Sequence, residues 1–157
     1  MTEFTCQGCE ARRSFVKRAG AALGGLLAIG MVPSFAVGAR RPGGDEVSYP
    51  VPPADDVVID KANEVILARR GNQVMAFALS CPHQRSMLKW FDQDGRFQCP
   101  KHKSKYQPTG EFISGRATRH MDRYPIRREG DKVVVTVDRT IESDKDARGW
   151  VAAVATL

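Results

Sequence analysis

Residues 81–102 read CPHQRSMLKWFDQDGRFQCPKH, and this stretch carries the most specific pattern of the chain. Its two ends carry Cys81 with His83 and Cys99 with His102, in the pattern C-x-H-x15-C-x-x-H. Thiolate and imidazole suit iron or zinc better than a hard, oxygen-preferring ion. Zinc sites usually begin with two cysteines two to four residues apart, whereas each end of this stretch pairs unlike ligands. The spacing therefore favours a two-iron cluster, with the cysteines on one iron and the histidines on the other.

The motif resembles that of Rieske [2Fe–2S] proteins, in which two histidines replace two cysteines on one iron. The resemblance implies a [2Fe–2S] cluster bound by all four side chains, with the histidine-bound iron nearest to solvent. It also implies an all-β fold, an antiparallel β-sandwich with a small cluster-binding subdomain. It is specific over residues 81–106 and general over the rest of residues 57–139.

Two hydroxyl residues follow the last ligand in the pattern H-x-S-x-Y, namely Ser104 and Tyr106. In high-potential Rieske proteins the equivalent hydroxyls donate hydrogen bonds to a bridging sulfide and to the sulfur of a ligand cysteine. Such donors stabilise the more negative reduced state, so the resemblance implies that both hydroxyls raise the reduction potential. The alternative is that Ser104 caps a turn and Tyr106 packs in a half-buried position.

The chain departs from the pattern of cytochrome bc-type Rieske proteins at three places. Those proteins usually carry a further cysteine in each cluster loop, joined as a disulfide, where this chain has Ser86 and Lys101. Lys103 stands where a glycine is usual, and residues 115–118 lack the proline of the loop that covers the cluster in that family. The cluster is therefore better supported than membership of a bc complex.

Basic residues are concentrated beside the ligands of this 157-residue chain, whose formal net charge is +6. They are Arg85, Lys89, Lys101, Lys103 and Lys105. One interpretation is a solvated loop kept soluble by lysines. The other is a docking face for an acidic electron-transfer partner, or an attractor for an anionic substrate of a partner subunit. No recognised nucleic-acid-binding fold accompanies the charge, so we expect no nucleic-acid partner.

The N-terminus resembles a twin-arginine export signal, because residues 11–17 read ARRSFVK and residues 19–39 carry no charge. An iron–sulfur centre is assembled in the cytoplasm and needs a route that exports folded protein, which agrees with such a signal. We expect a periplasmic protein, either soluble or tethered to the inner membrane by residues 19–39, which are just long enough to span a bilayer. Cys6 and Cys9 form a C-x-x-C without further ligands nearby, and we assign them no function.

Composition divides the chain into four predicted parts. Residues 1–39 form the signal or membrane anchor, and residues 40–56 form a linker rich in proline and glycine. Residues 57–139 form the Rieske domain, and residues 140–157 form a C-terminal tail.

Short strands separated by turn residues predict three hairpins in the domain. Their paired strands cover residues 64–68 with 74–79, 87–91 with 96–99, and 125–127 with 133–137. A further short strand is predicted over residues 110–113. Trp90 and Phe97 are predicted to be core residues, and His120 to be structural or on the surface. The tail is predicted to form a short helix or packing segment with Trp150 and Val151 on its apolar side.

The resulting hypothesis is a one-electron carrier, the electron-transfer subunit of a periplasm-facing respiratory or oxidoreductase complex. Its expected partner is a redox protein such as a cytochrome, or a larger catalytic subunit, and the chain is not expected to be a catalyst alone. Two alternatives remain at this point. One is a soluble Rieske ferredoxin that serves an oxygenase, and the other is a structural Cys2His2 zinc module.

Overall fold

The computed structural model describes residues 46–157, which form eleven strands in three antiparallel sheets and one short α-helix. The twin-arginine motif, the uncharged residues 19–39 and the two N-terminal cysteines lie outside the described residues. Within residues 46–157, no helix is long and apolar enough to cross a membrane. The expected all-β fold is confirmed.

Three sheets divide the strands between them. In spatial order, the first sheet contains β1 (Glu46–Pro50), β10 (Lys132–Thr136) and β9 (Ile126–Glu129). The central sheet contains β11 (Ala155–Thr156), β4 (Gln73–Ala78), β3 (Val65–Arg70) and β2 (Asp56–Asp60). The third sheet contains β5 (Lys89–Phe91), β6 (Arg96–Gln98), β7 (Lys105–Tyr106) and β8 (Phe112–Ser114). The helix α1 covers Ala147–Ala152.

The two inner strands of the central sheet, β3 and β4, are buried on both faces, and this explains their apolar runs over residues 65–68 and 74–78. Successive side chains of a strand point to opposite faces. Val65 and Leu67 of β3 therefore enter the core shared with the first sheet, whereas Ile66 and Ala68 enter the core shared with the third sheet. The second of these cores also contains both candidate cysteine ligands. The central sheet thus forms the support on which the cysteines are packed.

All three predicted hairpins are present. β3 and β4 pair through a two-residue turn, with Arg70 opposite Gln73. β5 and β6 are joined by a turn of 3-10 helix at Asp92–Asp94, and β9 pairs with β10. The β5–β6 hairpin connects the two ends of the ligand motif and brings them to the same end of the third sheet. Its cross-strand pair Trp90–Phe97 has ring centroids 4.7 Å apart.

Several strand boundaries differ from the sequence prediction. Glu46–Pro50, placed in the linker of residues 40–56, instead forms β1 and pairs with β10. Its alternate residues Val47 and Tyr49 are buried, and its proline is tolerated because β1 is an edge strand. The strand predicted over residues 110–113 starts later, at β8. The two-residue strands β7 and β11 were not predicted.

The C-terminal tail belongs to the folded body, because β11 pairs with β4. Helix α1 buries Trp150, whose indole N–H donates to the Met121 carbonyl at 2.7 Å. The Arg123 guanidinium stacks over the same indole at 3.7 Å and donates to the Trp150 carbonyl. The prediction that Val151 shares the apolar side is wrong, since its side chain is 66% exposed.

Candidate metal centre

The first cysteine loop, residues 81–86, is closed by two backbone hydrogen bonds. The N–H of Cys81 donates to the Ser86 carbonyl, and the N–H of Arg85 donates to the Cys81 carbonyl, both at 2.8 Å. Arg85 has a left-handed backbone with φ 50°, which turns the chain back toward the third sheet. The loop therefore presents His83 at its tip and keeps Cys81 at its base.

The second cysteine loop, residues 99–104, repeats this backbone. The N–H of Cys99 donates to the Ser104 carbonyl at 2.9 Å, and the N–H of Lys103 donates to the Cys99 carbonyl at 3.0 Å. Lys103 is also left-handed, with φ 58°. A lysine is thus accommodated where the family usually has glycine, although this conformation costs an L-residue roughly 1–2 kcal/mol.

The two thiols are buried and both are free of disulfides. Cys81 is 1% exposed and Cys99 is 2% exposed, and both lie in the core between the central and third sheets. Burial raises the pKa of the Cys81 thiol, against the opposing effect of hydrogen bonds to the Tyr106 hydroxyl and the His83 backbone. A bound cation is the ordinary means of stabilising a buried thiolate.

The two imidazoles form a pair at the loop tips. The rings of His83 and His102 have centroids 4.9 Å apart and are inclined at 68°, and both side chains are partly exposed. The Nδ1 atom of His102 is buried and has no hydrogen-bond partner among the described residues. Burial, followed by the charges of Arg116, His83 and Lys101, lowers the pKa of His102. The neutral imidazole that binds metals is therefore favoured.

These side chains fit a binuclear centre. The four donors separate into a buried thiol pair and an outer imidazole pair, and the imidazole pair includes a nitrogen without a hydrogen-bond partner among the described residues. Sulfur donors for one iron and nitrogen donors for the other are what a cluster with mixed ligands requires.

Ser104 joins the second cysteine loop to residues 115–117, which we call the covering segment. The serine is fully buried, and its Oγ accepts hydrogen bonds from the N–H groups of Arg116 and Ala117, both at 3.1 Å. Because both bonds use the oxygen as acceptor, the hydroxyl hydrogen is free to be donated elsewhere. Ser104 therefore binds a neighbouring segment and does not merely cap its own turn.

The covering segment lies so close to Ser104 that a side chain does not fit at Gly115. A Cβ atom there would lie 2.4 Å from the Cα of Ser104, and the glycine has φ +116°. Sequence analysis placed this segment at the cluster but missed its contact with Ser104. The glycine was the available signal, since close approach of two backbones excludes larger residues.

Tyr106 connects the second loop to the first. Its side chain is fully buried, which excludes the half-buried packing considered from the sequence. Its hydroxyl oxygen lies 3.4 Å from the Sγ atom of Cys81. Burial raises the pKa of Tyr106, and its contact with Cys81 acts in the same direction. Tyr106 therefore keeps its proton and is the donor whenever Cys81 is a thiolate.

The third histidine has a structural role. His120 Nδ1 accepts a hydrogen bond from the Phe112 N–H at 2.9 Å, which ties the histidine to strand β8. Its ring packs on Trp150 with centroids 4.7 Å apart. This agrees with its exclusion from the ligand set.

Comparison with known proteins gives a consistent result. Residues 48–125 match the Rieske [2Fe–2S] domain. The cytochrome b6-f complex iron-sulfur subunit of Chlorobaculum thiosulfatiphilum is 31% identical over 111 residues, which cover 57% of this chain and 61% of that protein. The subunit of the same name from Chlorobaculum tepidum is 28% identical over 75 residues, which cover 48% and 41%. The chain thus spans less than two thirds of either relative.

A solved structure is also similar. It is the crystal structure of the cyanobacterial plasma membrane Rieske protein PetC3 from Synechocystis PCC 6803, with 25% sequence identity and a TM-score of 0.42. The match covers 58% of this chain and 85% of that one.

An antiparallel β domain that brings two buried thiols and two outer imidazoles to one end is an iron–sulfur domain of the Rieske class. With the domain match, the chain belongs to the Rieske [2Fe–2S] family, and its cofactor is a [2Fe–2S] cluster. The predicted family, fold class and cofactor are confirmed, and the zinc module is set aside.

Proposed function

We propose that Cys81 and Cys99 bind one iron of the cluster and that His83 and His102 bind the other. This ligand assignment is supported by the separation of a buried thiol pair from a pair of imidazoles whose ring centroids lie 4.9 Å apart. When bound, the cluster accepts and releases one electron at a time. The half-exposed imidazoles then provide the short path between the cluster and a partner, while the core excludes water from the thiolates.

We further propose that this carrier is a subunit of a respiratory or oxidoreductase complex that faces the periplasm. Two relatives are named as cytochrome b6-f complex subunits, which supports a cytochrome as the redox partner. Residues 11–17 and 19–39 support export by the twin-arginine route, with or without retention of a membrane tether. The proposed organisation is a signal or anchor, a linker before β1, and a folded Rieske domain that includes β1 and the C-terminal strand β11.

Export is tested with the full chain expressed in a bacterium that has a twin-arginine system. Replacement of the arginine pair, Arg12→Lys/Arg13→Lys, is expected to retain the holoprotein in the cytoplasm. Replacement of Arg40 and Arg41 by lysine is the matched control and leaves export unchanged. Periplasmic recovery of the Arg12/Arg13 variant at the wild-type level contradicts the twin-arginine proposal, and the mass of the mature N-terminus distinguishes a cleaved signal from an anchor.

The cluster assignment is tested on purified holoprotein. Dithionite reduction is expected to produce the EPR signal of a reduced [2Fe–2S] cluster with mixed ligands, with an average g value below the free-electron value. His102→Ala removes this signal and the visible colour, whereas the matched control His120→Gln keeps both. A colourless wild-type protein, or equal loss in the two histidine variants, contradicts the ligand assignment.

We propose that the Ser104 and Tyr106 hydroxyls tune the cluster. The short distance from Tyr106 to Cys81 supports a hydrogen bond to a ligand sulfur, which stabilises the additional negative charge of the reduced state. Tyr106→Phe removes the hydroxyl without creating a cavity, so the reduction potential falls while the unfolding free energy changes little. Redox titration followed by EPR measures the potential, and an unchanged value contradicts the tuning role.

A further inference from the structure

The loops around the histidine pair carry positive charge without any carboxylate. Residues 81–91, 99–110 and 112–121 contain no Asp or Glu. Four exposed cations lie on the two cysteine loops and the covering segment, and we call them the basic rim: Arg85, Lys101, Lys103 and Arg116. None of the four forms an ion pair within residues 46–157, whereas other basic residues of this part of the chain, such as Arg127 and Arg119, do.

The rim is arranged around the imidazoles. Lys101 and Lys103 flank His102 directly, and Arg85 lies two residues beyond His83. Arg116 is held against the second cysteine loop, because its N–H donates to the Ser104 Oγ at 3.1 Å. The histidine pair is therefore bordered by cations that come from three separate segments.

Two of the rim residues occupy backbone positions that favour glycine. Arg85 and Lys103 have φ 50° and 58°, in the left-handed region, at equivalent positions of the two loops. An L-residue adopts this conformation at a cost in stability. This cost arises at both loops, each time at a long cationic residue one or two positions from a histidine.

We propose that the basic rim is the docking surface for an acidic redox protein, one that carries Asp and Glu side chains around the exposed edge of its own redox centre. The inference rests on the proposed electron-carrier function and specifies the partner's chemistry. Charge complementarity of this kind aligns two redox centres and raises the association rate. A lipid surface is a poorer occupant, because lipid headgroups offer no redox centre to which the electron could pass.

The test uses the reduced holoprotein and two c-type cytochromes of similar potential, one acidic and one basic, in a stopped-flow spectrometer. Ionic strength is varied from about 10 mM to about 300 mM, across the range in which surface charges become screened. The rate constant with the acidic cytochrome is expected to fall by about tenfold or more. With the basic cytochrome the rate constant is expected to rise with ionic strength.

The rim variant is Arg85→Gln/Lys103→Gln, and its matched control is Lys61→Gln/Lys132→Gln. The control removes two exposed lysines, one from the turn after β2 and one from β10 in the first sheet. The ratio of the rates at low and high ionic strength is compared, because a shift of the cluster potential affects both rates equally. The rim variant is expected to lose several-fold of this ratio for the acidic cytochrome, and the control is expected to keep it.

A second rim variant, Arg85→Gly/Lys103→Gly, removes the same charges and suits the left-handed backbone, so a folding defect does not explain its loss of rate. Three results overturn the docking inference. The first is a rate constant with the acidic cytochrome that does not depend on ionic strength. The second is an equal loss of the rate ratio in the rim variant and in the control variant. The third is a rate constant that depends on ionic strength when ferricyanide is the electron acceptor but not when the acidic cytochrome is. In each case a normal EPR signal shows that the cluster proposal stands; a missing signal in the wild type contradicts the proposed function instead.

Discussion

The two cysteine loops have the same backbone but are held in place differently. In both loops the cysteine N–H donates to the carbonyl five residues later, and a left-handed cation closes the turn. In the second loop the side chain of Ser104 is buried and bound by the covering segment. The matching residue of the first loop, Ser86, is only partly buried. The two loops therefore share a backbone conformation but differ in the contacts that hold them in place.

The first loop depends on groups contributed by the second half of the motif. Its cysteine is contacted by the hydroxyl of Tyr106, which belongs to β7 directly after the second loop. The covering segment therefore holds the second loop, whereas the first loop relies more on Tyr106 of β7 and on the cluster itself. Removal of the cluster should therefore affect the two loops unequally.

The largest effect is expected from loss of the cluster. Cys99→Ser should abolish cluster binding and loosen both loops, because metal binding contributes part of the folding free energy. When iron is instead removed from the wild type by a chelator, amide hydrogen exchange should accelerate more at Cys81 and Arg85 than at Cys99 and Lys103, by roughly tenfold. Equal exchange in the two loops would contradict the unequal support described above.

The next largest effect is expected from a side chain between the second loop and its covering segment. Gly115→Ala places a Cβ atom 2.4 Å from the Cα of Ser104 at a glycine with φ +116°. We expect a loss of about 2–3 kcal/mol in the free energy of unfolding, from strain and displaced backbone. Urea titration of the holoprotein measures this loss.

The matched control for this substitution is Gly95→Ala in the β5–β6 hairpin. Gly95 also has a positive φ, +57°, but nothing lies within 4 Å of the position of its missing Cβ. Its replacement should cost only about 1 kcal/mol, from the left-handed backbone alone. If Gly115→Ala were no more costly than Gly95→Ala, close contact of the covering segment with Ser104 would not be supported.

A smaller difference in unfolding free energy is expected between alanine substitutions at the two serines, Ser104 and Ser86. Ser104→Ala leaves two N–H groups of the covering segment without their acceptor, which should cost about 1–3 kcal/mol. Ser86→Ala removes a hydroxyl that is only partly buried, and it should change stability by less than about 0.5 kcal/mol. Chemical denaturation of both variants in the holo form gives the difference. Equal costs would show that the loops are supported alike.

Much of this comparison could be predicted from local sequence. Ligand spacing and turn residues lie within the 26 residues from 81 to 106, so the cofactor and the β5–β6 hairpin could be predicted from short-range pattern. The donor set is predicted from the same pattern. The partly exposed imidazoles and buried thiols also agree with the expected order of the two irons. Local pattern was sufficient because each loop closes on itself through bonds between near neighbours.

The remaining features depend on contacts between distant residues, which a single sequence does not specify. β1 reads as a proline-bounded linker until Val47 is paired with Val135 across the first sheet. The covering segment lacks the proline that its counterparts in the family would have. Its attachment to Ser104 is made by backbone N–H groups, so Gly115 is the only local signal of this contact. Val151 was expected on the apolar side of the helix, but successive residues of an α-helix point about 100° apart, and α1 buries Trp150 and leaves Val151 exposed.

The smallest expected change in stability concerns the left-handed backbone that the two cysteine loops share. Arg85→Gly and Lys103→Gly each relieve a left-handed backbone that costs an L-residue roughly 1–2 kcal/mol, but glycine also loses about 0.5–1 kcal/mol of chain entropy on folding. Each variant should therefore be more stable than the wild type by up to about 1 kcal/mol, and the two gains should be similar because the two φ angles are 50° and 58°. Thermal unfolding of the holoprotein, with Lys132→Gly in β10 as a control that should destabilise, measures the difference. A gain at only one of the two loops would mean that their backbones are equivalent in shape but not in strain.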